Sequence, residues 1–207
     1  MQPSAGVSAF DDPDYLFEAW WPGIRAQAWV DGGRLVRLRA EGLADALTAF
    51  GELTEELPER LVDDGVLLDG WLLALDEGGW LDGGLLRRRL AGNRSAGRPA
   101  FVAFDLLWSG GVDWQRRPFS ARRERLEAIL LDGDRCVVTH ALRGEGTLLA
   151  EALARFGLDA LSARRLDARY RAGDAGEAWI RVPLNPAPVT ERPRLALIQR
   201  LPFLEDG

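Results

Sequence analysis

Few side chains in this sequence could serve as a nucleophile, a base or a metal ligand. There is one histidine, one cysteine and no lysine, so all 26 basic residues are arginine. An arginine guanidinium stays protonated above about pH 12. An indole N–H donates a hydrogen bond but has no usable lone pair. The chain therefore offers no amine nucleophile. His140, at the end of the run RCVVTH, has no visible base or metal partner and reads as a strand-end or core histidine. A serine-type triad would have to use it, and no nucleophile elbow accompanies it. Cys136 reads as a small apolar residue of the same run. Without cysteine and histidine clusters there is no zinc pattern, and no metal is expected. Gly144-Glu145-Gly146 lacks the strand–loop–helix setting of a phosphate loop. What remains is the stretch FEAWWPGIRA at 17–26, with Glu18, Trp20, Trp21 and Arg25, and arginine clusters at 87–98, 116–125 and 164–171. Such clusters are solvated faces or phosphate-facing surface, and the sequence leaves both open.

Composition narrows the classes. At 47% hydrophobic and 28% charged the chain resembles an ordinary globular protein. No apolar run reaches the ~18–20 residues of a membrane span, and the N-terminus lacks the basic and apolar regions of a secretory signal. A single cysteine excludes an internal disulfide and fits a cytoplasmic setting. The net charge of −6 argues for weak or no sequence-independent DNA binding by the chain alone. The all-arginine basic set, with much Ala, Gly and Leu, points to a coding bias. Such a bias could empty a surface of lysine, but should not empty a position where lysine is the reagent.

The elements that must position these groups alternate between periods. IRAQAWV (24–30) and RLVRLRA (34–40), joined by Asp31-Gly32-Gly33, predict a hairpin. Residues 43–61 predict a helix in two pieces broken near Pro58, residues 65–77 a strand or tight strand pair, and residues 83–92 a helix ended by Gly92. RPAFVAFDLLW (98–108) predicts a central strand. A helix is expected from a Ser120 N-cap to Leu131, with Leu126, Ile129 and Leu130 on its apolar face. A strand at 134–140 follows, then a helix capped by Thr147 and stopped by Gly157. Strands at 159–165 and 178–182 close the set. Hairpins mixed with helices and no repeats give an α+β class. The expected organisation is a domain over 1–183, followed by a proline-rich linker and apolar tail over 184–207. That tail could dock a partner or pack on its own domain.

The order of five blocks is more informative than any one of them. FEAWWPGIRA, LLDGWLLALD, FVAFDLLWSGG with PFSARRERL, GLDALSARRLDARYRAG and AWIRV together resemble the adenylation domain of ATP-dependent DNA ligases, in the style of bacterial end-joining ligases. The resemblance covers about residues 10–183. It implies the ligase adenylation fold, ATP-grasp-like, with mainly antiparallel sheets flanked by helices. Against the family pattern Glu-x-Lys-Trp-Asp-Gly-x-Arg, the chain keeps Glu18, Trp21, Gly23 and Arg25. It places Trp20 at the nucleophilic lysine and Pro22 at the aspartate. Against Leu-Asp-Gly-Glu it has Leu68-Asp69-Gly70-Trp71. Phe104 to Leu107 match Phe-Asp-Leu-Leu, Pro118, Arg122 and Arg123 the downstream run, and Asp159 to Arg165 the Glu-Gly-x-x-Ala-Lys-Arg block. Trp179 to Pro183 match Trp-x-Lys-x-Lys.

The family forms a lysyl-AMP intermediate from ATP with magnesium, and this chain departs from it at the lysine and at both acidic positions. The resemblance thus implies a ligase-like protein without intact catalytic residues, with no cofactor expected. Its remaining nucleotide-binding candidates are Glu18, Arg25, Phe104, Asp159, Arg164 and Arg181, although Phe104 fits simple core packing equally. Trp20 and Trp71 are expected to fill a nucleotide-sized cleft, since each indole buries ~150–250 Å². The 24 residues after Pro183 are too few for the oligonucleotide-binding barrel of a ligase, so no such domain is expected. The function implied is an interaction or regulatory module with a protein partner in DNA repair or end joining. The alternatives are a non-covalent nucleotide or DNA-end binding protein, and a ligase component that needs a partner chain.

Overall fold

The computed structural model describes residues 1–6, 8–171, 173, 175–186 and 193–195. In chain order the elements are β1 (Ser4–Ala5), β2 (Asp12–Ala19), β3 (Ile24–Asp31), β4 (Arg34–Ala40), α1 (Ala46–Ala49), α2 (Leu53–Glu59), β5 (Val66–Leu75) and α3 (Gly83–Leu90). There follow β6 (Arg98–Ser109), β7 (Val112–Asp113), α4 (Phe119–Ile129), β8 (Cys136–Val138), β9 (Ala141–Gly144), α5 (Gly146–Arg155), β10 (Ala160–Arg165), a 3₁₀ turn (Gly176–Ala178) and β11 (Trp179–Pro183). The class is α+β, with two largely antiparallel sheets. No helix among the described residues is long and apolar enough to cross a membrane.

The chain divides into two compact units. One holds Met1–Trp21, Arg117–Ser120 and the chain from Thr139; the other holds Pro22–Arg116 and Ala121–Val138. In the first unit the sheet runs β1-β11-β10-β2-β9, antiparallel except for the parallel β1–β11 pair. Helix α5 packs on β10 and β2. Its apolar positions Leu149, Ala152 and Leu153 are buried, as a 3.6-residue period requires of a helix covering one sheet face.

In the second unit the order is β4-β3-β5-β6-β7, with β8 parallel to β6. The β3–β4 hairpin forms where expected. Gly32 and Gly33 take φ of +58° and +69°, the left-handed region its two-residue turn needs. Ala26, Ala28, Leu35, Leu38, Leu68, Leu72, Phe101 and Ala103 form one core with Phe50, Leu53 and Leu57 from α1 and α2 and with Leu126 and Ile129 of α4. Residues 65–77 give one long strand, β5. Nine of its ten residues are buried, and a strand covered on both faces loses the alternation that marks a half-exposed one.

Several boundaries differ from expectation. The break within 43–61 falls at Gly51, while Pro58 lies inside α2; that helix ends at the next residue, so the proline removes little of its ladder. Ser120 is inside α4, whose first residue is Phe119, and its N–H donates to Leu166 O. Thr147 is likewise inside α5. Its N–H and hydroxyl both donate to the Asp11 carboxylate, at 2.8 and 2.6 Å. Those hydrogen bonds hold the Asp11 carboxyl below its usual pKa. The strand expected over 134–140 shrinks to β8, and β9 follows as a separate strand that the sequence did not announce. Of the proline-rich linker and tail, residues 187–192 and 196–207 lie outside the described residues.

Candidate functional site

Alternation along three paired strands collects one set of candidate residues on a single face of the first unit's sheet. Glu18 of β2 pairs with Ser162 of β10, which pairs with Arg181 of β11. One step along, Leu16, Arg164 and Trp179 form the next row. Because successive side chains point to opposite faces, residues 16, 18, 162, 164, 179 and 181 share this face. Trp20 follows the end of β2, where its N–H donates to Ala160 O at 3.2 Å.

The face is a stack of rings and guanidinium groups. The Trp20 ring lies 6.0 Å from that of Trp179, tilted by 36°, and the Arg181 guanidinium sits 5.2 Å from the Trp20 ring centroid. Trp179 Nε1 donates to Ser162 Oγ at 2.8 Å. Arg164, buried, lies 4.1 Å over Phe119 and 4.9 Å over Trp179. Such contacts attract a cation through the ring quadrupole. Asp159 is exposed and meets Arg181 Nη2 at 3.5 Å. Glu18 is buried. Trp21 points elsewhere: it is fully buried and donates from Nε1 to Thr139 Oγ1 at 2.9 Å.

The second unit holds the other candidates. Arg25 of β3 stands opposite Trp71 of β5. It grips the buried Asp69 carboxylate with two hydrogen bonds, Nε–Oδ1 at 3.0 Å and Nη2–Oδ2 at 2.5 Å. Its guanidinium is 5.8 Å from the Phe104 ring centroid, and the Phe104 and Trp71 rings are 5.6 Å apart. Beside them Asp105 and Arg122, both fully buried, form a second two-point pair at 2.7 and 2.9 Å. Pro22 is exposed. The structure thus brings Glu18, Trp20, Asp159, Arg164 and Arg181 together in one unit. It brings Arg25, Trp71 and Phe104 together in the other.

Sequence reasoning missed Asp69, Asp105, Arg122, Ser162 and Trp179 as members of these clusters. All five lie inside the blocks that carry the family resemblance; for Asp69, Ser162 and Trp179 the signal was strand parity, since each shares the parity of a candidate two residues along its strand, while Asp105 and Arg122 of α4 carried no such signal. The arginine clusters also hold a surprise. Each contains one arginine with almost no exposure: Arg89 and Arg122 at 0% and Arg164 at 1%. Arg89 bonds the Ala49, Ala96 and Gly97 carbonyls and the Glu52 carboxylate. None of the three is solvated; Arg89 and Arg122 tie the fold together through hydrogen bonds, and Arg164 packs between two rings. Cys136 is no nucleophile: burial pushes its thiol up to about 12, so it stays protonated at neutral pH. Among the described residues, no group of three or more His, Cys, Asp and Glu side chains could hold a metal ion.

Comparison with known proteins agrees with this architecture. The model of the ATP dependent DNA ligase domain matches residues 2–182. The multifunctional non-homologous end joining protein LigD of Mycolicibacterium smegmatis is 30% identical over 181 residues, covering 87% of this chain and 23% of that protein. A probable DNA ligase of an Anaeromyxobacter species is 34% identical over 194 residues, covering 87% of this chain and 36% of its own length. Mycobacterial DNA ligase D complexed with ATP and MES shares the fold with a TM-score of 0.73 at 28% identity, over 88% of this chain and 59% of that one. The chain spans about a quarter of the LigD it matches. Over residues 2–182 the chain belongs to the ATP-dependent DNA ligase domain family and has its adenylation-domain, nucleotidyltransferase fold.

Proposed function

We propose that this chain is a LigD-related adenylation domain, over residues 1–183, that does not form a lysyl-adenylate and serves as an interaction or regulatory module in DNA end joining. The observation that carries this reading is Trp20. The residue at the family's nucleophile position is an indole, packed on Trp179 beneath Arg181, in a chain without lysine. Attack on the α-phosphate of ATP needs an amine with an accessible neutral form, and no group at this position has one. The residues present do not fit the nucleotidyl-transfer machinery in a second respect. Trp71, packed on Phe104, stands where the family carboxylate would be, and Pro22 replaces the other acid. Each indole, within its own unit, is large enough to occupy space that a ligand would need. End joining as the setting is suggested by the name of the M. smegmatis relative, and a protein partner by the loss of chemistry in a retained fold.

A second reading has its own support. Glu18, Arg164 and Arg181 share one sheet face, and guanidinium groups can hold phosphate without covalent chemistry. Non-covalent binding of a nucleotide or DNA end would use that face. Sealing of a nicked duplex by the full chain, with ATP and magnesium and protein in excess over nicks, tests the first reading. No sealed product is expected, and ligation above background would overturn it. Thermal unfolding with ATP separates the two, because a ligand that binds only the folded state raises the midpoint saturably. Under the first reading it leaves the midpoint unchanged.

A further inference from the structure

On the face of the second unit's sheet turned away from α1, α2 and α4, a row of side chains crosses four strands. Arg37 of β4 pairs with Trp29 of β3, Trp29 with Leu67 of β5, and Leu67 with Trp108 of β6. Trp29, Leu67 and Trp108 keep part of their surface in solvent. Val36, at the irregularity where β3 and β4 shift register, adds an apolar side chain that is 49% exposed. Arg37 and, one row along, Arg39 are exposed at the sheet edge. Among the described residues neither is ion-paired. The half-exposed tryptophan–leucine–tryptophan row, with two cations at one end, lies past the buried stretch of this face, where Asp69 and Trp71 follow Leu67 on β5.

From this we infer that the strip is a docking surface for a short, acidic amphipathic helix of a partner protein. The inference rests on the interaction-module reading and supplies the partner's chemistry. Neighbouring strands are ~4.8 Å apart, so the row spans ~14 Å. A helix rises ~5.4 Å per turn, so apolar residues three or four apart on about ten residues of helix match the spacing of Trp29, Leu67 and Trp108. This is the helix-in-groove mode of peptide recognition, with anchors at every turn. Arg37 and Arg39 stand at one end of the row and select acidic residues near one end of the helix. Single-stranded nucleic acid fits less well. Leu67 in the centre offers no ring to stack on, Asp113 opposite Trp108 closes the far end with a carboxylate, and the chain is acidic overall.

The test uses the whole chain. A random peptide-display library is selected on it and counter-selected on the Arg37→Glu/Arg39→Glu variant, whose changes sit on an exposed edge and whose unfolding midpoint is checked against the parent. Enriched peptides are then synthesised and titrated by fluorescence anisotropy, with an oligothymidylate alongside. The expected result is acidic peptides with apolar residues three or four apart, binding saturably and weakened at least tenfold by the charge reversal and by Trp29→Ser. Three results would overturn it: no enrichment on parent over variant, enriched peptides that are basic or lack the apolar spacing, or oligothymidylate binding abolished by the same substitutions. Adenylation or nick sealing by the chain would sink the non-catalytic reading while leaving these peptide titrations to stand or fall by themselves.

Discussion

At the scale of single residues, the side chains at the candidate positions make packing and ion-pair contacts. Trp20 and Trp71 each pack at a tilt against a second ring within their own unit. Arg25, whose family position suggests a ligand contact, holds buried Asp69 through Nε and Nη2. The Arg122–Asp105 pair is the extreme case, with neither side chain exposed. Removing one partner of such a pair strands a buried charge and costs about 3–5 kcal/mol. Arg122→Met is therefore expected to lower the urea midpoint sharply, and a change of less than about 1 kcal/mol would mean that the pair is solvated. Cys136 gives a pH-dependent prediction. Its folded pKa is raised by burial to about 12, so its contribution to stability is complete below the ordinary thiol pKa and is lost as pH rises towards 12. At pH 8 the native protein is expected to resist alkylation by iodoacetamide and to react once unfolded in urea; rapid native labelling would contradict this.

At the scale of elements, much of the fold was legible. The Asp31-Gly32-Gly33 turn specified its hairpin, and the ordered blocks implied mainly antiparallel sheets flanked by helices. What was not legible has physical causes. Strand β9 is four residues long, with no buried position, and a strand held by β2 alone leaves little periodicity to read. The caps of α4 and α5 come from distant chain: the carboxylate serving the first turn of α5 is Asp11, far away in sequence. Arg89, Arg122 and Arg164 looked like surface residues because their partners are carbonyls, carboxylates and rings brought near only by folding. Gly70, between Asp69 and Trp71, illustrates a constraint the sequence does state. A Cβ there would lie 2.7 Å from Val102 O and 2.6 Å from Phe101 Cζ. Backbone cannot retreat like a side-chain tip, so Gly70→Ala is expected to destabilise by about 1–3 kcal/mol. Calorimetry would show a lowered midpoint, whereas an unchanged one would mean that β5 and β6 separate easily.

At the scale of the whole molecule, two units keep the family's sheets in a chain that has no lysine, and on the reading proposed above that chain does not adenylate. Buried arginine pairs, ring contacts and a glycine close approach hold that fold; the proposed loss of chemistry rests on the missing amine. The candidate site was legible only as positions: family blocks located Glu18, Trp20, Phe104, Arg164 and Arg181. Which of them share a face came from strand register, which no single segment encodes. The most direct test of the central claim is intact-mass analysis of the purified chain after incubation with millimolar ATP and magnesium. The account predicts the unmodified mass alone. A species heavier by one adenylate, bound covalently to any side chain, would contradict it.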